Sequence, residues 1–79
     1  MFINRQIIQG DNIFIPHPTE AYKRDTYEIM GGQVNILHYS DGTVLVQIIQ
    51  AGKQPAIWVN RNIEYDPTTN TARIIPGSP

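Results

Sequence analysis

Cysteine is absent from the sequence, and charge of either sign is scarce. Without cysteine the chain forms no disulfide and no thiolate zinc site. Lys and Arg together number 6 against 7 Asp and Glu, so the formal net charge is −1. A chain with so little net charge has no overall field that draws it onto nucleic acid or an anionic membrane.

Long apolar runs are also missing, since none approaches the about 20 residues that cross a bilayer as a helix. The N-terminal residues 1–6 turn polar early and lack the apolar region of a secretory signal. We therefore expect a cytoplasmic protein that does not contact a membrane. The 79 residues suit a single domain, which we place at 1–75, followed by a flexible tail at 76–79 that contains two prolines.

The motifs of common catalytic and cofactor sites are absent as well. There is no nucleophile elbow, Walker loop, dinucleotide fingerprint or HExxH motif. His17, His38 and Asp41 are candidate metal ligands, but nothing in their spacing makes them converge, as zinc requires. We expect a non-enzymatic protein with no cofactor and no metal. An enzyme would need His17 or His38 to be activated by a carboxylate from elsewhere in the fold.

Isoleucine dominates what is present. Thirteen Ile and four Val stand against two Leu, two Met and four Ala, a balance that favours strands. Turn-forming residues separate the candidate strands 2–8, 13–15, 27–30, 33–39, 43–50, 56–59, 63–65 and 71–75. We expect a mainly β fold of five to seven short antiparallel strands in a small barrel or open sandwich. Thr19 followed by Glu20 also allows one short helical turn near 19–24.

The register of the central hairpin follows from its turn. If residues 40–42 form a type I turn with Gly42 in a left-handed G1 bulge, Tyr39 pairs with Thr43. One face of the hairpin then carries an unbroken apolar set, namely Val34, Ile36, Val44, Val46 and Ile48. A two-residue turn would mix apolar and polar side chains on both faces. The pattern therefore favours the bulged turn, and we expect the apolar face to lie in the core.

A second hairpin is predicted between 63–65 and 71–75. Pro67 sets φ at the second position of its turn, Asp66 can cap the turn, and Asn70 tolerates the left-handed conformation.

The other face of the central hairpin is half apolar. Polar residues alternate there with Leu37, Tyr39, Leu45 and Ile49. Such a face is covered either by the chain's own strands or by a partner. We expect these four residues to contact another protein. The function expected is a protein–protein interaction, inhibitory or assembly module that acts through a sheet face or edge and self-associates as a homodimer.

The extended segment 13–18 provides a second candidate contact. Pro16 and Pro18 keep the backbone around His17 extended and remove two ladder donors. The segment therefore either ends an edge strand or projects as an arm, and we include His17 and Tyr22 among the candidate contact residues.

Binding of single-stranded nucleic acid is the alternative function. Small β-barrels bind bases by aromatic stacking beside basic side chains. Trp58, Arg61 and Tyr65 supply this combination, although the apolar surroundings of Trp58 are also typical of a core strand. Salt-sensitive quenching of the single Trp by an oligonucleotide distinguishes this function from protein binding.

Overall fold

The computed structural model describes residues 3–75. Within this range the chain is mainly β and contains no helix, which confirms the predicted fold class. Six strands form one antiparallel sheet: β1 (Ile3–Gln9), β2 (Lys23–Ile29), β3 (Gly32–His38), β4 (Val44–Gln50), β5 (Ala56–Asp66) and β6 (Thr71–Ile74).

The long strand β5 organises the sheet. The strand order is β1-β5-β4-β3-β2, with β6 also paired to β5. On one edge β1 accompanies both halves of β5. On the other edge β4 pairs with 56–59 and β6 pairs with 63–66, so β5 passes from one partner to the next along its 11 residues. The sheet does not close, and the fold is an open sandwich rather than a barrel.

Three predicted elements differ from the structure. The segments 56–59 and 63–65 belong to one continuous strand, because β1 bridges both. The helical turn near 19–24 is absent, since strand β2 begins at Lys23 and pairs with β3 along its whole length. The segment 13–15 contributes only one bridge, from Phe14 to Thr71. The predicted tail at 76–79 lies outside the described residues.

The turn of the central hairpin is the bulged one. The Tyr39 amide donates to the Thr43 carbonyl at 2.9 Å, and Gly42 has a φ of 89°. The Asp41 carboxylate accepts from the Thr43 amide at 2.9 Å, which fixes the turn from within. Ile36 therefore lies opposite Val46, as the sequence predicts.

The second hairpin also follows its turn chemistry. Asn70 has a φ of 55°, and the Asp66 carboxylate accepts from the Thr68 amide at 3.0 Å. The Asn70 side-chain amide donates to the Asp11 carbonyl at 2.8 Å. This contact holds the segment that carries Phe14 against the open edge of β6.

The core occupies one side of the sheet only. Its buried apolar residues are Ile8, Leu45, Ile57, Val59, Ile63 and Ala72, and Ile13, Ile15, Leu37, Tyr39, Tyr65 and Ile74 pack against them. The core includes residues of β6 and the 13–15 segment, so these elements cover the Leu45 side of the sheet. The expectation that the unbroken apolar face of the central hairpin forms the core is wrong. Both faces are apolar enough to be buried, and the positions of β6 and of residues 13–15 decide between them.

Candidate protein interface

The side of the sheet opposite the core forms a continuous apolar surface. Cross-strand partners share a face, and Trp58 lies opposite both Ile7 and Val46, while Val46 also lies opposite Ile36. We call this surface the open face and define it by its apolar side chains: Ile7, Tyr27, Ile29, Val34, Ile36, Val44, Val46, Ile48, Ala56 and Trp58.

No side chain of the open face is buried. Ile7 is 50% exposed and Tyr27 is 57% exposed, whereas the remaining members are half-buried by their neighbours on the sheet, apart from the exposed Ile29. The contrast with the other side is sharp, because Val59 and Ile63 are fully buried there. Contiguous apolar patches of this kind mark protein interaction sites on soluble domains.

Charge on this side of the sheet gathers at one corner. The His38 Nε2 atom lies 3.2 Å from the Asp25 Oδ2 atom, and the Lys23 Nζ atom lies 3.8 Å from the same oxygen. His38 and Lys23 lie opposite each other in the β2–β3 register. The centre of the open face, around Val46 and Trp58, is therefore apolar, and the charged groups lie at its margin. Charge depletion at the centre and a polar rim are features of protein interfaces.

Three of the four contact residues predicted on the central hairpin lie in the core or against it. Leu45 belongs to the buried core, and Leu37 and Tyr39 pack against it. Only Ile49 is exposed. The alternative that the chain's own strands cover this face is the one observed, because β6 and residues 13–15 lie over it.

His17 is held inside the fold rather than projecting from it. Its side chain is 7% exposed and stacks on the Tyr39 ring at a centroid distance of 4.0 Å. Its Nε2 atom lies 3.1 Å from the Asp41 Oδ2 atom, and its Nδ1 atom accepts from the Thr19 amide at 3.1 Å. Both ring nitrogens therefore have partners within the chain. Tyr22, by contrast, is 70% exposed immediately before β2.

The hydrogen bonds of the Thr43 amide and hydroxyl lower the pKa of Asp41 from 3.8 to about 2, and His17 contributes a smaller effect in the same direction. A lowered carboxyl pKa stabilises the fold above pH 3.8, and this contribution is lost as pH falls towards 2.

We expect Asp41→Asn to unfold at a lower temperature than the wild type at pH 7, with the difference shrinking between pH 4 and pH 2. Thermal unfolding followed by circular dichroism at several pH values measures this. A difference that stays constant down to pH 2 would contradict the role given to the Asp41 charge.

The structure separates the residues of the predicted nucleic-acid site. Trp58 lies on the open face, whereas Tyr65 packs against the core and donates its hydroxyl to Asn70 at 2.9 Å. Arg61 Nε donates to the Thr43 hydroxyl at 3.0 Å, and a terminal guanidinium nitrogen donates to the Asp41 carbonyl at 2.9 Å. The three side chains do not form one stacking platform.

Among residues 3–75, no group of three or more His, Asp or Glu side chains is placed to hold a metal ion. His17 with Asp41 and His38 with Asp25 form two separate pairs. No helix in the same range is long and apolar enough to cross a membrane.

The sequence identified Val34, Ile36, Val44, Val46 and Ile48 as one apolar face but placed that face in the core. The signal for an interface was the presence of two apolar faces on one hairpin, since one sheet of a short chain cannot bury both. Tyr27 and Ile7 were missed because their strands were not assigned to a face. No family model, curated protein or solved structure matches the chain.

Proposed function

We propose that this protein is a non-enzymatic binding module that docks on another protein through the open face. One observation carries the proposal: within residues 6–75 every buried apolar residue lies in the single core cluster, while the open face remains uncovered. The partner's surface would remove these side chains from water. This burial would stabilise the complex by about 25 cal/mol per Å² of apolar surface.

The size of the open face suits a protein partner. Five strands spaced about 4.8 Å apart, each about six residues long at about 3.3 Å per residue, cover roughly 24 Å by 20 Å. This area is of the same order as the about 800 Å² that each partner buries in a standard interface. Trp58 near the centre and Tyr27 towards the β2 edge are residue types that dominate binding energy in such interfaces.

Charge favours a protein over nucleic acid as the ligand. The net charge is −1, and Lys23, a cation at the margin of the open face, lies 3.8 Å from the Asp25 Oδ2 atom. Phosphate recognition needs positive charge beside the stacking aromatic group. Trp58 has apolar cross-strand neighbours instead, namely Ile7 and Val46.

Site-specific photocrosslinking tests the proposal. Val46 is replaced by a benzoylphenylalanine, and the matched control carries the same group at Thr68, an exposed turn position between β5 and β6. Irradiation in lysate of the source cells is expected to give a discrete protein adduct from position 46 and none from position 68. Excess unlabelled wild type is expected to suppress the adduct.

The competitor Ile36→Lys makes the result specific to the open face. Ile36 is half-buried next to Val46, and a lysine there places a charge in the apolar centre. We expect this competitor to be about tenfold weaker or worse than the wild type, since burial of one such side chain is worth about 1.5–3 kcal/mol. Equal competition by both proteins would contradict docking through the open face.

Trp58 fluorescence tests the alternative ligand class directly. A single-stranded DNA of about 20 nucleotides at low salt is expected to leave the emission unchanged. Quenching that weakens steeply as salt rises would replace protein binding with nucleic-acid binding as the function.

A further inference from the structure

Strand β2 is an open edge of the sheet. It pairs with β3 on one side, and no other strand within residues 3–75 pairs with it. All its residues are exposed except Asp25, which is half-buried. An edge strand with unpaired backbone groups is a template for a further strand.

The ladder of β3 shows which backbone groups of β2 are unpaired. The Tyr39 amide donates to the Thr43 carbonyl, and the Ala51 amide donates to the Gly31 carbonyl. The amide and carbonyl groups of odd-numbered residues of β3 therefore point towards β4. The amide and carbonyl groups of even-numbered residues of β3 point towards β2, where their hydrogen-bonding partners are odd-numbered residues. The amide and carbonyl groups that point away from the sheet belong to Arg24, Thr26 and Glu28.

These three residues are complementary to themselves in an antiparallel arrangement. With Thr26 opposite Thr26 of a second copy, Arg24 lies opposite Glu28, and the two-fold axis repeats this pair. The outward amides and carbonyls then form six hydrogen bonds, two for each opposed pair. Cross-strand pairs of opposite charge stabilise a sheet, and like charges directly opposite destabilise it.

Other registers are less favourable. Sliding one strand so that Arg24 lies opposite Thr26 leaves Glu28 without a partner among the three residues. Sliding it further places Arg24 against Arg24 or Glu28 against Glu28. Only the register centred on Thr26 uses all three outward residues and opposes unlike charges.

We propose that β2 is a self-association edge, through which two copies of the chain join antiparallel about Thr26 into one continuous sheet. The two-fold axis is perpendicular to the sheet, so both open faces lie on the same side. Tyr27 and Ile29 of each copy flank the junction and extend the apolar surface across it. The pairing uses a different surface from the open face, so its failure and that of the proposed function are separable.

Charge reversal across the edge tests the pairing. Light scattering and sedimentation are measured from micromolar to millimolar concentration, because an interface of one strand pair is small and its dimer weak. Wild type is expected to dimerise as concentration rises. Arg24→Glu and Glu28→Arg are each expected to raise the dimer dissociation constant about tenfold or more, since each opposes like charges twice.

Mixing the two variants is the decisive step. In the mixed pair the new carboxylate of Arg24→Glu lies opposite the new guanidinium of Glu28→Arg, and the two unsubstituted residues also oppose each other. Unlike charges therefore face each other at both positions, and a heterodimer is expected. Lys53→Glu and Glu20→Arg carry the same charge changes at exposed positions outside β2 and are expected to dimerise like the wild type.

A backbone variant tests the hydrogen bonds separately. Thr26→Pro removes an amide that points away from β3, so the fold keeps its β2–β3 ladder while the dimer is lost. Thr26→Val, which also loses the hydroxyl contact to Asn35, is expected to dimerise. A monomeric wild type at millimolar concentration, or single variants that dimerise as well as the wild type, would overturn the proposal. Loss of the dimer in Ile36→Lys alone would assign self-association to the open face instead.

Discussion

Replacing Ile63 by alanine is expected to lower the free energy of unfolding by about 3 kcal/mol, because the change leaves a cavity that the surrounding strands cannot fill. Ile63 is fully buried in β5, with Ile74 of β6 opposite it. It belongs to the cluster that includes Leu45 and Ala72. A domain of this length has a total stability of roughly 4–12 kcal/mol, so one substitution removes a large part of it.

Urea unfolding followed by circular dichroism measures the change. Ile63→Val is the matched control and is expected to cost about 1 kcal/mol, since it removes one methyl group. Ile7→Ala, at a position of β1 that is 50% exposed, is expected to cost less than Ile63→Ala in the isolated chain. Equal effects at positions 7 and 63 would contradict a core confined to one side of the sheet.

Replacing Gly32 by alanine is expected to cost about 3 kcal/mol for a different reason. A methyl group at Gly32 would overlap the backbone carbonyl of Ile49 and press on the Cα atom of Gln50. Gly32 is the first residue of β3 and pairs with both Ile29 and Gln50. Because the obstacle is backbone and not the end of a flexible side chain, β3 and β4 must separate locally to accept the methyl group.

Gly52→Ala is the matched control for Gly32→Ala. Gly52 has a φ of 78°, but a methyl group there meets nothing within 4 Å. Its cost is therefore the conformational cost alone, about 1 kcal/mol. Thermal unfolding of both variants separates the two effects, and a Gly52 variant less stable than the Gly32 variant would contradict the close approach of β3 and β4.

The open face and the β2 edge together suggest how a short chain gains stability. A domain of 79 residues supplies a limited core, and no disulfide supplements it. Covering the open face by a partner buries Trp58 and its neighbours, and pairing at β2 satisfies backbone groups that now face water. The proposed partner and the proposed second copy would each bind the folded chain and not the unfolded one, so each would raise its apparent stability.

Of the candidate site, the sequence identified residues but not their surroundings. The alternation of Val34, Ile36, Val46 and Ile48 was visible, and so was the half-apolar set around Leu45. Which set faces solvent depends on residues far along the chain, on β6 and on the segment around Ile13. His17 illustrates the same limit, because its partner Asp41 is 24 residues away and only the fold brings them together.

The sequence by itself determined the mainly β class, the bulged turn at Gly42 and the turn from Asp66 to Asn70. These features depend on residues close together in the chain, where β-branched side chains and left-handed conformations have strong local preferences. Only the tertiary structure decided that β5 continues unbroken past Val59, that β2 starts at Lys23, and which side of the sheet is covered. Those outcomes depend on long-range pairing, in which β1 spans both halves of β5 and β6 takes the place beside it that β4 leaves.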